Sequence, residues 1–130
     1  MMVRKLCLVS LLAVAACSYG TTAPKDVTLG QPIQLGIDEA ARVPGADVTV
    51  RLVSIGDSRC PSDVTCVQAG DAAVLLTFSG NGSRSETLYL RTQPTSTTYG
   101  SYTFQLVDVS PYPKTTNPRP NLVATLKVTK

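Results

Sequence analysis

From residue 27 onward the chain alternates apolar and polar residues with a period of two, and Gly, Pro, Asn or Ser interrupts the rhythm at short intervals. Ile33, Leu35 and Ile37 alternate with polar or small residues, and Val48, Val50 and Leu52 do so in residues 47–55, with Thr49 and Arg51 between them. Residues 72–78 form a more continuous apolar run, as expected of a central strand, with Val74, Leu76 and Phe78 sharing one face. Leu88 and Leu90 flank Tyr89 in residues 87–91. Tyr102, Phe104 and Leu106 alternate in residues 102–109, and Leu122, Ala124, Leu126 and Val128 in residues 122–129. Successive side chains of a strand point to opposite faces, so each run can cover one side of a core. Richness in β-branched residues and bounding by turn formers argue for strands. Between the third and fourth runs, Ser79-Gly80-Asn81-Gly82-Ser83 contains an Asn-Gly pair. Both tolerate the positive φ of a type I′ turn, which predicts a tight hairpin. Helix is expected only as single turns, near residues 38–42 and 61–64. The expectation is an all-β domain over residues 26–130, with about six or seven strands in a small antiparallel β-sandwich or partly open barrel.

The leader follows different rules. Arg4 and Lys5 precede a short apolar run around residues 6–13. It falls short of the ~20 apolar residues that a spanning helix needs. The run closes on Val14-Ala15-Ala16-Cys17, with two small residues before the cysteine and a branched apolar residue one further back. This segment resembles the lipobox of bacterial lipoproteins. The resemblance implies a signal peptide over residues 1–16, cut between Ala16 and Cys17. Cys17 would then be the mature N-terminus, bearing a diacylglyceryl thioether and often an amide-linked acyl chain such as palmitate. An ordinary secretory signal, cut after an Ala-x-Ala-like site with Cys17 left free, is the alternative. Cys7 is no rival for the lipid, because Arg4 and Lys5 stand where small apolar residues are required. One acyl chain anchors only marginally at ~0.8 kcal/mol per buried methylene, so durable anchoring takes two or three. Ser18 rather than Asp follows Cys17. In a host with two membranes, the periplasmic face of the outer one is the expected site. Residues 18–25 are polar, contain Gly20 and Pro24, and read as a tether reaching about 26–29 Å when extended.

Loss of residues 1–16 leaves 114 of the 130 residues, enough for one domain. Arg4 and Lys5 leave with the leader, so ten of the twelve basic residues remain against nine acidic ones. The mature chain is therefore nearly neutral. It shows no basic stripe for nucleic acid, and no second apolar segment of spanning length follows.

Cysteine usage follows from the leader. Of four cysteines, the resemblance implies that Cys7 would leave with the signal peptide and Cys17 would take the lipid, which would leave Cys60 and Cys66 in an oxidising compartment. A disulfide between them would close a short loop and contribute about 2 kcal/mol, with Pro61 stiffening the turn. A redox-active pair is the second reading, since Arg59 could lower the Cys60 pKa. Against it stand a spacing other than Cys-x-x-Cys and the lack of a helix N-terminus. Structural zinc needs four ligands, and the chain offers these two thiols and no His.

The segment Asp57-Ser58-Arg59-Cys60-Pro61, with a second Cys six residues on and Val67-Gln68-Ala69-Gly70 before an apolar strand, resembles a group of small uncharacterised bacterial exported proteins. Many of these are lipoproteins. Residues 102–109 leading into Ser110-Pro111-Tyr112-Pro113 are similar to that group as well. Its members commonly carry Trp where Gln68 stands here. The resemblance implies the architecture and says nothing of mechanism.

Asp57, Asp63 and Asp71 bracket the cysteine loop and suggest an oxygen-rich cation site. In the alternative, Asp57 pairs with Arg59 or caps the turn, Asp63 lies exposed, and Asp71 opens a strand. No metal ligand set is assigned. Residues 110–121 hold four prolines around Tyr112 and Arg119. These two residues mark a possible binding loop for a protein or wall polymer. The other reading is a stiff connection crossing between sheets.

No catalytic constellation emerges. The absence of His removes the commonest general base, the glycines near residue 80 belong to a hairpin, and no cofactor motif is found. Asp38 and Glu39 are neighbours on an expected turn, poorly placed for paired-carboxylate chemistry. The expected function is a lipid-anchored cell-envelope protein with a non-catalytic binding or structural β-domain, its partner an envelope protein or a cell-wall polymer. Alternatives are a protease-inhibitor-like module presenting the Pro-rich or cysteine loop, and a thiol redox protein using Cys60 and Cys66. Thr115-Thr116-Asn117-Pro118 has the wrong order for the Asn-Pro-Thr-Thr-Gly loop of chagasin-type inhibitors.

Overall fold

Alternating strands bury one face only if another sheet covers it, and two sheets do so here. The computed structural model describes residues 23–117 and 120–130. Its strands are β1 Lys25–Asp26, β2 Pro32–Gly36, β3 Ala40–Val43, β4 Val48–Asp57, β5 Ala72–Ser79, β6 Arg84–Tyr89, β7 Ser96–Tyr99, β8 Tyr102–Ser110 and β9 Val123–Thr129. Five of them form a sheet in the order β1-β3-β4-β5-β6, and four form a second in the order β2-β9-β8-β7. All pairings are antiparallel except β1 with β3. The domain is thus an all-β sandwich and not a closed barrel.

The six expected strands appear as β2, β4, β5, β6, β8 and β9. The other three, β1, β3 and β7, are two to four residues long, too short to show a period in sequence. Residues 38–42, expected as a helical turn, are instead a tight turn and the start of β3: Glu39 N–H bonds to Gly36 O at 3.1 Å and Asp38 holds φ at 66°. The Val64 N–H to Pro61 O bond at 3.3 Å closes a single turn at the second expected site. Lys25, the last residue read as tether, belongs to β1.

Phe78, Phe104, Leu35, Leu52, Leu76, Leu88 and Leu126 are fully buried between the sheets. Phe78 meets Phe104 edge-on at 4.9 Å and stacks on Tyr99 at 5.3 Å, so both phenylalanines of the chain sit at the centre of the core. The period-two rule breaks twice. β-Bulges lie between Leu52 and Ser54 in β4 and between Leu106 and Asp108 in β8. A bulge adds one residue and flips the parity beyond it. Val53 and Val107 keep the outward face that alternation gives them, while Val109, past the second bulge, turns inward.

The hairpin at residues 79–83 forms, but not as the expected type I′ turn. Asn81 lacks positive φ, and Gly80 and Gly82 carry it instead. The Tyr99 hydroxyl accepts the Asn81 N–H at 2.8 Å and donates to Gly82 O, which holds the wider loop against the opposite sheet. Gly80 is required for a second reason: a Cβ there would lie 1.6 Å from Asp47 O.

Both open sides of the sandwich are closed by a cation reaching across. Lys25 of β1 donates to Gln34 O of β2 at 3.0 Å and pairs with Glu39 at 2.8 Å. Arg84 of β6 donates to Thr98 O of β7. Charged residues at sheet edges discourage edge-to-edge pairing with other chains.

Candidate functional site

β4 and β8 end beside each other, and the loops they lead into, residues 58–71 and 111–122, meet at one end of the sandwich. Three links join them. Ser62 N–H bonds to Pro113 O at 3.0 Å, Asp63 accepts the Thr115 N–H at 3.1 Å and the Thr115 hydroxyl, and Arg59 reaches Pro111 O at 3.4 Å. Residues 110–121 connect β8 to its own sheet neighbour β9. The Pro-rich segment is therefore a long hairpin arm, not the expected crossing between sheets. Its tip is a turn closed by the Lys114–Asn117 bridge.

Arg59 is the organising residue. Its side chain is 2% exposed and that of Asp57 8%. Asp57 Oδ1 accepts the Arg59 Nε at 2.8 Å and the Arg59 backbone N–H at 3.1 Å, while Oδ2 accepts Nη2 at 2.7 Å. Residues two apart can do this where the chain leaves a strand into a turn, and the carboxylate also caps that turn. Burial pushes the Asp57 carboxyl up, but the side-chain and backbone hydrogen bonds from Arg59 outweigh it and hold it below the ordinary value. The same side-chain bond raises Arg59 further, against the opposing effect of burial. Tyr112 lies over the guanidinium at 4.7 Å, so the ring covers the pair from outside. An arginine over an aromatic face gains from the ring quadrupole, the more so when desolvated.

Cys60 and Cys66 form a disulfide with Cα atoms 5.9 Å apart. Beyond it the chain returns under Ser58. Ser58 N–H and hydroxyl both bond to Asp71 O, at 2.9 and 2.8 Å. Gly70 runs so close that a Cβ would lie 1.7 Å from Ser58 O, which explains the glycine of Val67-Gln68-Ala69-Gly70. Gln68 is exposed, so the side chain at this position has no packing to supply.

Asp71 ends the loop and accepts the N–H groups of Ala72, Arg91 and Thr92 at 2.8–3.1 Å. Burial raises its carboxyl, and the Thr92, Arg91 and Ala72 bonds more than reverse that. Asp63 is exposed and held low by the Thr115 hydroxyl and N–H. The three carboxylates considered for a cation site thus serve Arg59, Thr115 and the β6–β7 connection respectively. Asp57 pairs with Arg59 and Asp63 is exposed, as the alternative reading has them, but Asp63 and Asp71 also take partners far along the chain. Among the described residues, no three His, Cys, Asp or Glu gather as a ligand set.

Where the loops meet they leave a cleft of about 540 Å³, with Pro61, Pro113, Pro120 and Leu122 as apolar walls, Lys114, Thr115 and Asn117 on its rim, and the Asp57–Arg59 pair at its base. A second hollow of about 450 Å³ lies across Pro120 and Leu122 and extends to Ile37 and Ile55. Apolar walls with a few fixed polar groups suit recognition of a ligand. Among the described residues, every buried side-chain N or O atom has a hydrogen-bond partner.

Of the residues singled out in sequence, Cys60, Cys66 and Tyr112 come together at this end. Ala16, Cys17 and Arg119 lie outside the described residues. Asp38 and Glu39 are not paired with each other. Glu39 accepts Gly36 N–H and pairs with Lys25, the two bonds that hold its carboxyl low. Sequence reasoning missed Lys114, Thr115 and Asn117, because the loop-to-loop links span 52 residues and carry no local signature. Compared with protein-family models, curated proteins and solved structures, the chain matches none.

Proposed function

We propose that this is a lipid-anchored cell-envelope protein whose β-domain is a non-catalytic binding or structural module. The lipobox-like Val14-Ala15-Ala16-Cys17 is the basis for the anchor and the envelope location. For the domain, the observation that carries the reading is that the disulfide and the buried Asp57–Arg59 pair fix the first end loop, and the Asp63–Thr115 and Ser62–Pro113 links lock it to the second. Loops fixed in this way present a preformed surface, and preorganisation lowers the entropic cost of binding. A catalytic acid or base must offer a proton site to its substrate. Asp57 and Asp71 instead direct their carboxylates at protein donors.

The partner class is another envelope protein or a cell-wall polymer. Crosslinking in intact cells, followed by mass spectrometry of the adducts, tests this, with a discrete protein or glycan adduct expected and its absence overturning the partner class. The N-terminal peptide of the membrane fraction should begin at a lipidated Cys17. An unmodified peptide in a soluble fraction would overturn the anchor.

A protease-inhibitor-like module is a second reading, favoured by one observation: Val67 is wholly exposed and Val64 half-exposed on a disulfide-held loop. Inhibition of envelope or secreted proteases, lost on loop cleavage, is its test.

A further inference from the structure

Large exposed apolar side chains are unevenly distributed over the domain. Val53 and Val107 lie on the outer faces of β4 and β8, and Leu29 stands alone in the β1–β2 turn. The other four, Ile37, Val64, Val67 and Tyr112, all belong to loops at the cleft end. Two are on the disulfide loop, one on the β2–β3 turn and one on the Pro-rich arm. Val67, fully exposed, has no packing role to explain it.

The N-terminal segment arrives at the same end. β1 runs parallel to β3, with Lys25 opposite Ala41 and Asp26 opposite Arg42. β3 descends from the β2–β3 turn toward Val43, which pairs with Val48 at the start of β4. Ala23 and Pro24, the described residues leading into β1, therefore approach from the side of the β2–β3 turn and the cleft end, away from Leu29. Seven residues separate Lys25 from Cys17, a reach of at most about 23–25 Å. β4, ten residues long, spans roughly 33 Å from one end of the sandwich to the other.

We propose that the cleft end of the sandwich rests on the bilayer, with Val64 and Val67 on the disulfide loop as its contact points and Ile37 and Tyr112 beside them. The proposal rests on the lipid-anchor reading. A tether this short holds that end at the membrane surface at high effective concentration, so a contact too weak to bind a free domain is still populated. Branched apolar side chains gain by leaving water at the headgroup boundary. Tyr112, with an apolar ring and a polar tip, suits that depth. Asp57, Asp63 and Asp71 already accept protein donors, and Lys114 is exposed on the same arm to meet headgroup phosphates. The disulfide keeps the two valines from folding back. The opposite end, with Leu29 and the residues 79–83 hairpin, is left facing outward.

The chain contains no Trp, so one introduced indole reports alone. The full chain, exported and lipidated in cells, carries Val67→Trp or, as control, Leu29→Trp. Each is reconstituted in phosphatidylcholine–phosphatidylglycerol vesicles with brominated acyl chains. Both indoles bring the same interfacial affinity, so a difference between them reports orientation. The expected result is loss of roughly half or more of the Val67→Trp emission, with a blue shift, as for groups ~5–10 Å into the acyl boundary. Leu29→Trp should remain unquenched, and adding Val64→Asp to Val67→Trp should relieve quenching.

A water-like Val67→Trp signal from protein whose N-terminal mass shows the lipid overturns the docking and leaves the anchor intact. Equal quenching at both positions overturns it as well, since the domain then has no fixed face. Shielding of Val67→Trp in native envelope fragments but not in vesicles assigns the patch to a protein or wall partner, against the proposal. A product without lipid and without vesicle binding overturns the anchor reading first.

Discussion

Replacing Asp57 by Ala leaves the Arg59 guanidinium, 2% exposed, without its counter-ion. Only a long contact to Pro111 O and the Tyr112 ring remain. Removing one partner of a buried ion pair costs about 3–5 kcal/mol, because the remaining charge stays out of water. A small domain has a total stability of roughly 5–15 kcal/mol, so this is a large share of it. At ~4–8 °C per kcal/mol, the melting temperature should fall on the order of 15–30 °C. Thermal and urea unfolding followed by circular dichroism at pH 7 measure it. Asp57→Asn should cost less, since the amide oxygen still accepts from Arg59. Replacing both partners together, Asp57→Leu with Arg59→Met, should restore most of the loss. The decisive number is the coupling energy from the Asp57→Ala and Arg59→Ala cycle. If it falls below about 1 kcal/mol, the pair behaves like an exposed salt bridge, and the role assigned to Arg59 is wrong.

Acid should destabilise the fold and mild alkali should not. Asp57, Asp63, Asp71 and Glu39 are all held below their ordinary values. Between the folded and unfolded values the unfolded chain binds more protons, so the stability they confer is complete above about pH 5 and falls as pH drops through the lowered values. With no His in the chain, the urea midpoint should be flat from about pH 5.5 to 8 and decline toward pH 3. Gly70→Ala forces a Cβ against Ser58 O and should cost about 1–3 kcal/mol or more, read as a lowered urea midpoint. Opening the disulfide with Cys60→Ser and Cys66→Ser should cost about 2 kcal/mol by the same measure. Phe78→Ala, emptying the centre of the aromatic cluster, should cost about 3–5 kcal/mol. A Gly70→Ala protein as stable as the parent would show that the close approach to Ser58 is not required.

Alternation in residues 48–52, 72–78 and 102–106 dictated strands with one buried face, whereas in residues 33–37 it stopped at Leu35, because Ile37 leaves β2 for the turn and is exposed. The sequence also carried the Asp57–Arg59 pair and the Cys60–Cys66 bond, whose partners are near neighbours and whose geometry follows from local chain direction. The packing of two sheets decided the rest. β1, β3 and β7 become strands only because a neighbour supplies a ladder for a few residues with weak patterns of their own. The bulge after Leu106 turns Val109 inward, where unbroken alternation from Phe104 and Leu106 would have placed it outside. The wider turn at Asn81 answers to Tyr99 across the sandwich, overriding the local preference of Asn-Gly. Asp63 finds Thr115, and a cleft opens between prolines far apart in the chain, only once β4 and β8 end side by side. Short-range contacts are fixed by spacing along the chain, whereas contacts between loops depend on where the sheets deliver them.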